Sequence, residues 1–485
     1  MRLAALCGEG MRLRGRGDVE ISGLVADSRA VRPGDLFAAL PGTRTDGTRF
    51  VADALARGAA AVLTDPATAE GLNVPALVAT EPRAALARAA ARFFGRQPRT
   101  VVAVTGTSGK TSIATFTRQL WWRLGLAAAS IGTLGVQTDE RPGEGSLTTP
   151  DPIALHRACA ELAAAGIEHL AIEASSHGLH QHRLDGLVLR AAAFSNISRD
   201  HYDYHGSAAA YYAAKRRLFA ELLPPGAVAV LNVDAPEHDD LAALAEARGL
   251  RLIDYGTKAR GLRLVERSPL PDGQRIAIEA FGRPHAFTSR LVGAFQAYNL
   301  LAAMGLVLAS GAELDEVLPQ LATLTAPPGR MQLTAWHPSG APAFVDYAHK
   351  PEALAKALEA LRPHASGRLV LVFGCGGDRD AGKRPLMGEI AASLADVVVV
   401  TDDNPRTEDP AAIRRAILAA APDAREIGDR AEAIRTAFVE LRAGDVLLVA
   451  GKGHEDYQIV GQRKLPFDDA EVLRAAARAM GGRSA

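Results

Sequence analysis

Cysteine is scarce in this chain, and Cys7, Cys159 and Cys375 share no metal-ligand spacing. That argues against a disulfide framework and predicts a reducing compartment. No run of about 18 apolar residues occurs, so no segment is expected to span a membrane. Arg2, Arg12 and Arg14 mark the N-terminus, but no apolar stretch of secretory length accompanies them. An excess of one charge is missing too, since 55 Lys and Arg balance 55 Asp and Glu. No global field therefore favours nucleic acid or an anionic membrane. No internal repeat of about 20–50 residues is present. The expectation is a soluble cytoplasmic protein without nucleic-acid or membrane partners.

Apolar residues, by contrast, are ample at 48% of 485. A chain of this length exceeds one core and predicts about three domains of about 150 residues. The expected boundaries are 1–97, 98–330 and 331–485, the first falling at Gln97-Pro98.

The stretch Thr100–Ser112, TVVAVTGTSGKTS, orders the middle part. A β-branched run reads as a buried strand; Gly106 and Gly109 break it, and Lys110-Thr111-Ser112 opens a helix. Such a turn offers backbone N–H groups and a positive dipole end to a phosphate. Lys110 adds a point charge, and the Thr111 hydroxyl suits Mg²⁺. The usual first glycine of a P-loop is Val104 here, so this is a shorter variant. Further strands are expected at Ile167–Ile172, running into Glu173, at Val188–Phe194, running into Ser195–His201, and at Ala227–Leu231, alternating with helices. That pattern predicts a doubly wound, mostly parallel sheet with its ligand beyond the strands' carboxyl ends.

Single residues leave alternatives open. Glu173 suits Mg²⁺ or caps a helix. His201 suits a metal, proton transfer or structure. Lys215 reads as a solvated helix face on the residues alone. Ser28 and the Thr43-Arg44-Thr45 loop read as turn chemistry beside strand–turn–strand at Gly23–Gly42. In the last part strands are expected at Ala343–Val345, Leu369–Phe373, Val397–Val400 and Val446–Val449, and polar turns follow three of them: Asp346–Pro351, Asp402–Arg406 and Gly451–Glu455. Arg379 and Arg406 offer forks for carboxylates, and Glu455 an acceptor for an ammonium. A free amino acid needs that combination.

The motifs TGTSGKT (105–111), LTTP (147–150), EASSHGL (173–179), QHR (181–183), NISRDHYDYHG (196–206), PGRMQ (328–332), DYAHKP (346–351), GCGGDRD (374–380), DDNPR (402–406) and GKGHEDYQ (451–458) carry a resemblance across nearly the whole chain. It resembles the Mur ligases, which build the peptidoglycan peptide. Ser108, Ser112 and Lys350 stand where that family often has other residues.

The resemblance implies an α/β chain with three domains. These are a smaller N-terminal α/β domain for UDP, a central P-loop-type ligase domain, and a Rossmann-like C-terminal domain for the amino acid. It implies ATP-dependent addition of meso-2,6-diaminopimelate to UDP-MurNAc-L-Ala-D-Glu through an acyl phosphate, by a monomer. Ala26, Ser28, Thr43, Arg44 and Thr45 would hold the uridine diphosphate. Thr148, Thr149, Ser175, Gln181 and Arg183 would hold the muramoyl-dipeptide. Gly106, Thr107, Ser108, Gly109, Lys110, Thr111 and Ser112 would cradle ATP, with Asn299, Arg330 and Asp346. Thr111, Glu173, His201 and a CO₂-derived carbamate on Lys215 would hold Mg²⁺, and Lys110, Glu173, His201 and Lys215 would be catalytic. Arg379, Asp403, Asn404, Pro405, Arg406, Gly451 and Glu455 would bind diaminopimelate. Three competitors are a lysine-adding relative, a folylpolyglutamate synthetase-like ligase, and a nucleotide switch without catalysis.

Overall fold

The computed structural model describes all residues except 43–45, 139–142 and 144–146, so the expected Thr43-Arg44-Thr45 site lies outside the described residues. The chain forms two compact units, Met1–Tyr255 with Ala302–Leu314, and Gly256–Leu301 with Asp315–Ala485.

In the first unit, β1 (Arg12–Arg14), β2 (Gly23–Val25), β3 (Asp35–Ala38), β4 (Ala61–Thr64) and β5 (Ala76–Val78) form a sheet ordered β1-β5-β4-β3-β2. All its pairs are parallel except β1 with β5. The expected strand–turn–strand at Gly23–Gly42 is thus a parallel crossover, with a 3₁₀ turn at Ser28–Ala30 between its strands. Parallel neighbours cannot close through a tight hairpin, which explains the intervening turn. Helix α1 (Pro82–Phe94) follows, opened by Pro82 and closed by Gly95 at φ 70°.

The second sheet of this unit carries β6 (Thr100–Thr105), β7 (Ala128–Gly132), β8 (Gly135–Gln137), β9 (His169–Glu173), β10 (Ala191–Phe194), β11 (Val228–Asn232) and β12 (Arg251–Gly256). Strand β6 is buried along its whole length, as its β-branched run requires of a strand covered on both faces. It pairs in parallel with β9 and β10, in registers that set Val104 beside Glu173 and Thr105 beside Phe194. Three carboxyl ends therefore lie side by side. Helices α2 (Lys110–Arg123), α3 (Pro152–Ala164), α4 (Ser176–His180), α5 (Tyr202–His205) and α6 (Ala208–Arg217) connect the strands. Strand β10 begins only at Ala191, later than the expected Val188, which is 67% exposed.

The second unit has an antiparallel meander of β13 (Leu262–Leu270), β14 (Gly273–Ala280) and β15 (Arg283–Ser289). Helix α7 (Ala294–Ala309) begins in this unit. The main sheet has β16 (Gln332–Trp336), β17 (Pro342–Asp346), β18 (Leu369–Phe373), β19 (Val397–Val400), β20 (Arg425–Glu426) and β21 (Val446–Ala450). A hairpin, β22 (Tyr457–Val460) with β23 (Arg463–Pro466), stands apart, and β24 (Arg483–Ser484) completes the sheet ordered β20-β19-β18-β21-β17-β16-β24. Strands β17, β21, β18 and β19 are parallel, so their polar turns share one edge, as expected. Helices α8 (Pro351–Leu361), α9 (Lys383–Leu394), α10 (Pro410–Leu418), α11 (Arg430–Val439) and α12 (Asp469–Met480) accompany this sheet. Among the described residues no helix is long and apolar enough to cross a membrane.

Candidate active site

The phosphate loop follows β6. Gly106 has φ 145°, and a Cβ there would collide with Ser195 Oγ, so only glycine fits. Gly109 is left-handed at φ 89° and caps α2 without a side-chain hydrogen bond. The N–H groups of the first turn are thus not taken by a side-chain cap, which is what an anion requires. The turn after β10 braces this loop: Asn196 O accepts from Thr107 N at 2.8 Å, and Asn196 Oδ1 from Ser108 N at 3.1 Å. Thr107 Oγ1 lies 3.0 Å from the Tyr211 hydroxyl. The Ser112 side chain sits buried in the first turn of α2.

Lys110 Nζ folds back on its own loop, donating to Gly106 O at 2.8 Å and to Thr107 O at 2.9 Å. Lys215 overturns the solvated-face expectation. It is 1% exposed, and its Nζ donates to Gly106 O at 2.7 Å and lies 4.4 Å from the Tyr211 ring centre. The reason is helical phase: Tyr211 and Lys215 share the inward face of α6, four residues apart. Burial first, and the nearby Lys110 second, pull the Lys215 amine down to about 6.

Glu173 is 2% exposed at the end of β9. Its Oε2 accepts from Thr111 Oγ1 at 3.0 Å and Thr133 Oγ1 at 3.2 Å, and its Oε1 from Thr133 N at 2.9 Å. Thr133 Oγ1 also lies 3.1 Å from Thr148 Oγ1. The Thr111 hydroxyl and Glu173 carboxylate form a compact set of hard oxygens, which fits Mg²⁺. His201 sits at φ 53° before α5, beside Asp200, with its ring 4.7 Å from that of His177. Among the described residues no three His, Cys, Asp or Glu side chains are gathered to hold a metal by themselves.

The residues expected around the dipeptide do form one network. Thr149 Oγ1 donates to Glu173 O at 2.7 Å and lies 3.0 Å from Ser175 Oγ. Arg183 donates to Thr149 O at 2.6 Å and to Gln181 Oε1 at 2.8 Å. Gln181 Nε2 donates to the Tyr204 hydroxyl at 2.9 Å. On the first sheet Ala26 is exposed and Ser28 buried. A hydrogen bond from Ser28, then one from Arg57, holds the Asp53 carboxyl below its ordinary range.

In the second unit, Asp346 at the end of β17 accepts from Met331 N at 2.6 Å and Ala348 N at 2.9 Å. Burial pushes its carboxyl up despite Arg330 and these bonds. The Arg330 guanidinium lies 4.5 Å from the Tyr347 ring centre. Asn299 on α7 is buried and donates to Gln296 Oε1. The turn 402–406 is clamped by the β22–β23 hairpin: Arg406 N donates to Ile459 O at 3.0 Å, and Gln458 Nε2 to Asp403 O at 2.7 Å. Arg406 is left-handed at φ 52°, with Nη1 on Gly377 O at 2.8 Å. A Cβ on Gly376 would meet Arg406 Nη1 at 2.9 Å and Arg379 Cγ at 4.0 Å, so both arginines flank that glycine. Asp403 and Asn404 are buried, and Asn404 Nδ2 donates to Glu455 Oε2 at 2.8 Å. A Cβ on Gly451 would meet Asp403 Oδ2 at 2.8 Å, which draws the turns after β19 and β21 together.

Three family models match in sequence: the Mur ligase family catalytic domain over residues 20–94, the Mur ligase middle domain over 104–307, and the Mur ligase glutamate ligase domain over 329–453. The UDP-N-acetylmuramoyl-L-alanyl-D-glutamate–2,6-diaminopimelate ligase of Bradyrhizobium diazoefficiens is 55% identical over 94% of this chain and 95% of its own length. The chain belongs to the Mur ligase family. A solved UDP-N-acetylmuramoyl-L-alanyl-D-glutamate–2,6-diaminopimelate ligase superposes with TM-score 0.76 at 33% identity, covering 99% of both chains. A folylpolyglutamate synthase of Mycobacterium tuberculosis shares the fold at TM-score 0.62 and 19% identity, over 83% of this chain and 95% of its own.

This Mur ligase also carries site-facing residues that motif reading passed over. Thr133, Tyr204 and Tyr211 bond the expected residues directly. Thr133 had a signal, because it is a polar residue directly after the glycine that ends a buried strand.

Proposed function

We propose that the chain is an ATP-dependent ligase that joins the D-glutamate of UDP-MurNAc-L-Ala-D-Glu to meso-2,6-diaminopimelate. The observation that carries this reading is the near-full-length likeness to the Bradyrhizobium relative that bears the name of that reaction. The folylpolyglutamate synthase of Mycobacterium tuberculosis, at 19% identity, shares the fold alone.

The residue roles follow the resemblance. The loop from Gly106 to Ser112 cradles the phosphates of ATP, with Lys110 on the transferred group, and Asn299, Arg330 and Asp346 serve the nucleotide. Thr111, Glu173, His201 and a carbamate on Lys215 hold Mg²⁺. When bound, that ion neutralises charge developing on the moving phosphoryl group. The substrate carboxylate takes the γ-phosphoryl group of ATP, giving an acyl phosphate and ADP. The diaminopimelate amine then attacks the acyl carbon, and phosphate leaves. Thr149, Ser175, Gln181 and Arg183 orient the acceptor, with Thr148 beside them through Thr133. Ala26, Ser28 and the 43–45 loop hold the uridine diphosphate. Arg379 and Arg406 take a carboxylate of the amino acid, and Glu455 its ammonium, beside Asp403, Asn404, Pro405 and Gly451. We further propose three domains at 1–97, 98–330 and 331–485, a cytoplasmic location and a monomeric enzyme.

The test is phosphate release from ATP with UDP-MurNAc-L-Ala-D-Glu and either meso-diaminopimelate or lysine. Release with diaminopimelate alone supports the reading, and equal release with lysine overturns its specificity.

A further inference from the structure

Lys452 is fully buried in the turn that follows β21. Its Nζ donates to Glu455 Oε2 at 3.1 Å and to Asn404 Oδ1 at 3.2 Å. Asn404 Nδ2 donates to the same Glu455 oxygen at 2.8 Å, and Asn404 Oδ1 also accepts from Ile459 N at 2.9 Å. Cation, amide and carboxylate thus close a ring in which each side chain touches the other two. The ring fixes the Asn404 amide, because its oxygen must face two donors and its nitrogen an acceptor.

Glu455 is the anion that makes a buried ammonium tolerable. Its Oε2 already accepts two hydrogen bonds, whereas among the described residues none reaches Oε1. The Glu455 side chain remains 20% exposed, so it still has an outward face. Without the ammonium behind it, the carboxylate would swing among rotamers and lose its fixed direction.

We propose that Lys452 is a positioning residue for amino-acid recognition. It holds Glu455 so that Oε1 is presented to the incoming ammonium, and it locks Asn404 beside it. This rests on the reading of the 402–406 and 451–455 turns as the diaminopimelate pocket. Lys452 itself stays behind the ring and touches no ligand.

The experiment is steady-state kinetics on the full chain with Lys452→Met, Glu455→Gln and the double variant. Lys452→Met is expected to raise KM for meso-diaminopimelate by about tenfold or more, leaving kcat and KM for ATP within about threefold. In the Glu455→Gln background the same change is expected to add less than about threefold, because its effect runs through that carboxylate. Unchanged KM for diaminopimelate, or parallel losses in every constant, overturns the proposal. If Lys452→Met does not fold, the neutral pair in the double variant removes the uncompensated charge, and its comparison with Glu455→Gln decides. A further loss of about tenfold there means that Lys452 acts independently of Glu455 and overturns the inference. Wild-type turnover with diaminopimelate is the control. Its absence overturns the pocket assignment itself, whereas normal wild-type turnover with an indifferent Lys452 overturns this inference alone.

Discussion

Lys110 and Lys215 donate to the same carbonyl oxygen, Gly106 O, at 2.8 and 2.7 Å. Burial first penalises the charged form of Lys215, and the Lys110 ammonium on the same acceptor adds to that. The Lys215 amine accordingly falls from 10.5 to about 6. Above that value it is a neutral nucleophile able to add CO₂ and release a proton, and below it is an ammonium that cannot. Turnover in bicarbonate-free buffer is therefore expected to drop and to recover with bicarbonate at pH 8, while recovery fades below about pH 6. Rates with and without labelled bicarbonate, and the label retained as carbamate, check this. Full activity with no carbamate contradicts it.

The same shift has a stability consequence. A lysine with depressed folded pKa binds fewer protons folded than unfolded between about 6 and 10.5. The uncarbamylated chain should therefore gain stability as pH rises through that window, and Lys215→Met should remove that part of the slope. Denaturant midpoints across pH measure it.

Lys110→Ala removes the point charge of the phosphate loop while leaving the five-stranded sheet untouched. We expect kcat to fall by about two to three orders of magnitude, with uridine-nucleotide binding unchanged. Equal loss of uridine-nucleotide affinity in a binding titration would mean a general folding defect.

Gly132 ends β7 directly against the Glu173 carboxylate, so a Cβ there collides with that side chain. Gly132→Ala should turn Glu173 away from Thr111 and Thr133 and raise the Mg²⁺ concentration for half-maximal rate by about tenfold. Metal titration of the rate reads this out, and a shift in the uridine-nucleotide affinity is not expected.

Much of this arrangement was legible in the sequence because it follows from local rules. The run Thr100–Thr105, the glycines after it and the helix opening at Lys110 share one register, and each signals its own conformation. Strands Leu369–Phe373 and Val397–Val400 have the expected bounds for the same reason. Lys215 was illegible because burial depends on what α6 packs against, not on its neighbours in sequence. The β13–β15 meander and the β22–β23 hairpin were missed. The first has exposed, alternating polar positions, and the second is only four residues per strand. Lys452 escaped notice because its role is set by Asn404, 48 residues away.

Arg406 presents its guanidinium beside Gly376 and Arg379, with Nη1 donating to Gly377 O. Arg406→Ala keeps the backbone clamp to Ile459 but removes the fork. KM for diaminopimelate should rise by about one to two orders of magnitude, and KM for ATP by far less. Equal changes in both constants would count against the carboxylate role.

Arg430 and Asp469 form an ion pair with both side chains at 0% exposure, joined through Nε and Nη2 at 2.7 Å each. Arg430 Nη2 also donates to Ala450 O at 3.0 Å, at the end of the strand that carries the 451–455 turn. Such a pair is weak evidence for net stability, yet removing one partner strands a charge in the core. Asp469→Asn should therefore destabilise the second unit by about 3–5 kcal/mol, seen as a lower denaturant midpoint. Replacing both partners by apolar residues of similar volume should recover much of that loss. The recovered variant would still lack the bond to Ala450 O, so its KM for diaminopimelate should stay raised although its midpoint returns.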